Sequence, residues 1–134
     1  MTSILEVEGI GEKYALKLKE AGIRSTEALL KAGATPKGRE ELAAKTGIGE
    51  KLILEWVNHV DLFRIRGVAS EYSDLLEEAG VDTVVELAQR VPANLFAKMA
   101  EVNAAKKLVR KMPTEKQVAD WVAQAKKLPR AVTY

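Results

Sequence analysis

Leu52, Ile53, Trp56, Val57 and Val60 fall on one face of an amphipathic helix, and Val118, Trp121, Val122 and Ala125 fall on another. Each face carries one tryptophan. Elsewhere alanine, leucine, lysine and glutamate recur at helical spacing. With only two phenylalanines, three tyrosines and two tryptophans in the chain, a sheet-rich core is not expected. Helix punctuation points the same way. Thr35-Pro36 fits a cap followed by proline at the first helical position, and Thr83 with Glu86 and Thr114 with Gln117 fit capping boxes. Gly22 and Gly80 each follow a short amphipathic run, as left-handed helix terminators do. The predicted class is all-α, with about eight short helices.

The faces belong to an internal repeat. A shift of 58 residues superposes Gly9 on Gly67, Tyr14 on Tyr72, Leu18 on Leu76, Glu20-Ala21-Gly22 on Glu78-Ala79-Gly80, Ile23 on Val81 and Leu29 on Leu87. Further on the shift becomes 65, which pairs Glu50-Lys51 with Glu115-Lys116 and Trp56-Val57 with Trp121-Val122. The chain therefore reads as two related halves, residues 1–62 and 63–134, with the boundary near Phe63.

A shorter repeat lies inside the first half. Gly9-Ile10-Gly11-Glu12-Lys13 returns as Gly47-Ile48-Gly49-Glu50-Lys51, each copy just ahead of an amphipathic helix. In such a turn the first glycine can take a positive φ, the isoleucine points inward, and the second glycine permits close backbone approach. The free N–H groups of the helix that follows, at the positive end of its dipole, suit an anion such as a phosphate oxygen. Lys13 and Lys51, in the first turns, can add charge-assisted contacts.

These stretches resemble the helix-hairpin-helix motif. The first copy matches from Val7 to Ile23, with Ala15, Leu18 and Gly22 in place. Two copies joined by a connecting helix resemble the paired domain of many DNA repair and recombination proteins. That resemblance implies two pseudo-repeated paired-hairpin domains and backbone-mediated, sequence-independent DNA contact. The whole chain also resembles an uncharacterised bacterial family built from tandem units of this kind. In the second half the pattern departs: Gly67-Val68-Ala69-Ser70-Glu71 has alanine for the second glycine and an acid for the lysine. Met112-Pro113-Thr114-Glu115-Lys116 has no glycine at all. Those two hairpins are expected to be structural only.

Net charge, +2, decides little until it is partitioned. The first 66 residues hold eleven bases and ten acids. Gly67 to Ala97 holds one base and six acids, and Lys98 to Tyr134 nine bases and three acids. Lys106, Lys107, Arg110 and Lys111 fall at helical spacing and form a possible auxiliary basic patch. Without cysteine there is no thiolate metal site, disulfide or cysteine nucleophile, and one histidine leaves little for a metal. His59 reads as a surface or capping histidine, Trp56 and Trp121 as core, and Tyr14 and Tyr72 as core-edge residues with wet hydroxyls. No Walker loop, nucleophile elbow or histidine dyad occurs, and no apolar run is long enough to span a membrane.

The expected protein is thus cytoplasmic and non-catalytic, without cofactor, metal, membrane partner or small-molecule substrate. It would bind duplex or branched DNA non-specifically through Gly9, Ile10, Gly11, Lys13, Gly47, Ile48, Gly49 and Lys51. The alternative is a protein-interaction or scaffold module that offers the acidic block, Glu71 to Glu86, to a basic partner or to the chain's own basic end.

Overall fold

Good helix formers interrupted by caps fold into eight α-helices and one 3-10 turn in the computed structural model, which describes residues 2–134. The helices are α1 (Glu12–Glu20), α2 (Thr26–Gly33), α3 (Pro36–Thr46), α4 (Glu50–Leu62), α5 (Ser70–Glu78), α6 (Val84–Ala88), α7 (Pro92–Lys106) and α8 (Glu115–Lys127). The fold is all-α. Among the described residues there is no strand, only an isolated bridge between Ser3 and Ser25. No helix among them is long and apolar enough to cross a membrane.

The chain divides into two compact units. One runs to Asp61 and takes in Ala131–Tyr134; the other is Leu62–Arg130. A cut near Phe63 leaves the last four residues in the second half, whereas they fold as part of the first.

In the first unit α3 packs on α1 and α2. Ile4, Leu18, Leu29 and Ile53 are fully buried. Trp56 on α4 is 1% exposed and meets Tyr14 edge-on, with ring centroids 5.1 Å apart. Helix α2 ends on Gly33, where a side chain would collide with Val57. The returning tail buries Val132, and Thr133 N–H donates to Ala34 O at 2.8 Å. Arg39, only 5% exposed, holds this strap: its guanidinium donates to Gly33 O and Thr133 O, both at 2.8 Å, and lies 6.0 Å from the Tyr134 ring centroid.

In the second unit α8 packs on α6 and α7, and α7 on α5, around Leu75, Leu76, Leu87, Leu95, Met99, Val118 and Trp121. Tyr72 and Trp121 lie 5.3 Å apart, and Tyr72 Oη donates to Lys111 O at 3.0 Å.

Helix ends follow local chemistry. After α1, Gly22 N–H donates to Lys19 O and Ile23 N–H to Leu18 O; after α5, Gly80 N–H donates to Glu77 O and Val81 N–H to Leu76 O. Both are Schellman closures, with buried apolar residues on each side of the turn. Ser25, Thr35, Thr83 and Thr114 each cap the helix they precede. Only Thr114 and Gln117 complete a capping box; Glu86 instead accepts the Asp82 N–H.

Two expectations are corrected. The run from Lys106 to Lys111 is not helical, because α7 stops at Lys106 and Lys107 takes a left-handed conformation, φ +52°. Asn103 then fixes the loop, its side chain accepting the Val109 N–H and donating to Val109 O. His59 is not at the surface: at 3% exposure it is buried in the last turn of α4.

Candidate nucleic-acid interface

Each intact Gly-Ile-Gly turn pins its isoleucine in the core of the first unit and leaves its second glycine outside. In the first turn Ile10 N–H donates to Val7 O at 3.1 Å, and Val7 and Ile10 are buried. Gly9 has φ +92°, and a Cβ there would lie 3.3 Å from Trp56 Nε1. The turn therefore needs glycine twice over, for its backbone angle and for its seat against the indole.

In the second turn α3 ends on Gly47, whose N–H donates to Ala43 O at 2.8 Å. Thr46 locks the exit: its hydroxyl donates to Leu42 O and accepts the Ile48 N–H. Ile48, like Ile10, is 4% exposed.

Gly11 and Gly49 differ from the glycines before them. Neither has a positive φ, and, as at Gly47, a Cβ on either would meet nothing within 4 Å. Gly11 is the N-cap of α1 and supplies no side-chain hydrogen bond to the first-turn amides. Glu12, Lys13, Glu50 and Lys51 are all exposed in the first turns that follow. The eight residues singled out in the sequence thus form two turns of similar build within one unit.

The second unit has matching parts with a different outcome. Gly67 has φ +97°, and a Cβ there would lie 3.0 Å from Trp121 Nε1. Ala69 stands where the first unit has Gly11 and is likewise an N-cap without a side-chain bond. Ahead of α8, Pro113 is buried and the Thr114–Gln117 box engages the helix's own amides.

The auxiliary basic residues do not share a helix face. Lys106 is paired with Glu78 on α5, Lys107 is the C-cap of α7, and Arg110 and Lys111 are exposed in the loop. Sequence reasoning missed Asn103, which shapes that loop, and Arg39, which holds the strap. An asparagine three residues before a lysine pair gives no cue, and a charged residue in a polar helix looks solvated.

The chain belongs to the family described as a domain of unknown function, DUF4332, which matches residues 8–128. No curated protein and no solved structure matches it.

Proposed function

We propose that this protein is a non-catalytic DNA-binding module of helix-hairpin-helix type, which contacts the phosphate backbone of duplex or branched DNA without reading sequence. The observation that carries the reading is the pair Gly11 and Gly49. Both positions have unstrained backbone and open space where a side chain would go, so the fold itself does not call for glycine. What glycine does there is keep the approach to a helix N-terminus clear. A phosphate oxygen can then reach the first-turn N–H groups, helped by the dipole and by Lys13 or Lys51.

Because such contacts go to phosphate alone, binding is modest and weakens as salt rises. Fluorescence anisotropy with a labelled duplex and a four-way junction, at low and at physiological salt, tests this. Wild type is expected to bind in low salt. The double variant Gly11→Leu, Gly49→Leu, still folded by circular dichroism, is expected to bind at least about tenfold more weakly, a loss of about 1.4 kcal/mol. Absence of binding to either DNA in low salt, or equal binding by the double variant, sinks the proposal.

A further inference from the structure

The second unit contains a concave feature that the glycine turns do not involve. A groove of about 290 Å³ is lined by Arg64, Arg66, Gln124, Lys127 and Leu128. All three ionisable residues in that lining are cations. The groove is held in shape from both sides. Gln124 on α8 clamps the main chain of Arg66, its Oε1 accepting the N–H at 2.8 Å and its Nε2 donating to the carbonyl at 3.1 Å. On the other side Arg64 Nη2 donates to Pro129 O at 2.7 Å, which sets the guanidinium against the chain leaving α8. Asp120, a turn earlier on α8, is not part of the lining and accepts from Gln124 Nε2 at 2.8 Å.

Three cations line this concavity and no carboxylate does, a charge balance that favours a multivalent anion. The Arg66 fork fits phosphate oxygens, the Arg64 guanidinium adds its charge from beside Pro129 O, and the Lys127 ammonium adds a point charge. Leu128 and the aliphatic stems of the cations leave an apolar wall for an uncharged body attached to the anion.

We propose that this groove is a phosphate-binding site, with Arg64, Arg66 and Lys127 as its charged ligands. The phosphate can come from a small free ligand or from a nucleic-acid strand; the recognising chemistry is the same. The site lies wholly in the second unit and does not rest on the glycine turns of the first.

Titration of the ¹⁵N-labelled full chain at low salt, with pyrophosphate and in parallel with a short single-stranded oligothymidylate, tests it by NMR. Saturable shifts are expected at the Gln124 side-chain amide and at the Arg66 and Leu128 main-chain amides. A response to pyrophosphate assigns the site to free phosphates; a response to the oligonucleotide alone assigns it to strand phosphates. The double variant Arg66→Glu, Lys127→Glu, with unchanged far-UV circular dichroism, should bind at least about tenfold more weakly. The double variant Gly11→Leu, Gly49→Leu should keep the groove response. If neither probe moves the groove resonances, or the charge-reversed variant responds like wild type, the groove proposal is overturned. Shifts confined to the Gly11 and Gly49 turns also overturn it while leaving the glycine-turn reading intact.

Discussion

Glycine serves two opposed purposes in the turns of this protein. Gly9 and Gly67 are required from within, by positive φ and by an indole nitrogen only 3.3 Å and 3.0 Å from where a Cβ would lie. Gly9→Ala is therefore expected to lose about 1–3 kcal/mol of stability in a urea titration. The spacing of the two glycines was legible in the sequence, and so was the inward isoleucine between them. That no neighbour within the chain approaches Gly11 or Gly49 was not legible, because it depends on where distant helices pass. Titration adds a second residue-level outcome. Thr2 N–H donates to Glu27 Oε1 at 3.0 Å, and this bond is the main reason the Glu27 carboxyl titrates below its ordinary value of 4.5. A depressed folded pKa means the contribution is present above about pH 4.5 and lost as pH falls through the folded value. Glu27→Gln should flatten that part of the acid-unfolding profile, read by circular dichroism between neutral and strongly acidic pH.

At the scale of elements, the instructive contrast is between α1 and α8. Helix α8 begins with a completed capping box, and α1 begins with a glycine that caps nothing. Thr114→Ala should cost about 1 kcal/mol and leave DNA binding unchanged. Gly11→Ser should do the reverse, adding a few tenths of a kcal/mol to stability by capping α1 while weakening DNA binding, since its hydroxyl occupies an amide the phosphate would use. Opposite signs for stability and binding in one variant are measurable by pairing thermal melts with anisotropy. The starts of α3, α6 and α8 were readable from Thr35-Pro36, Thr83 and Thr114, and the Schellman ends from Gly22 and Gly80. The end of α7 was not. Lysine is a good helix former, so nothing local in Lys106-Lys107 announces a stop; the Asn103 side chain, closing on Val109, makes it. His59 escaped for a related reason, since a single histidine beside Val57 and Val60 is polar by composition and buried by its place on the helix.

At the scale of the whole molecule, the strap Ala131–Tyr134 makes the first unit discontinuous in sequence. Arg39 joins its parts by donating to carbonyls on α2 and on the strap. Arg39→Leu leaves Gly33 O and Thr133 O without that donor and should cost about 1–3 kcal/mol. In hydrogen exchange the loss should appear as faster exchange in α2 and α3, while α5 to α8 keep their protection. The sequence period marks halves but not such a return, because four residues carry no period. The strap also imposes an order on synthesis. All of Leu62–Arg130 is made before Val132 can enter the first unit's core and before Thr133 can reach Arg39. On the ribosome, then, the unit begun second is the first that can be finished, and the unit that carries both Gly-Ile-Gly turns waits for residues 131–134.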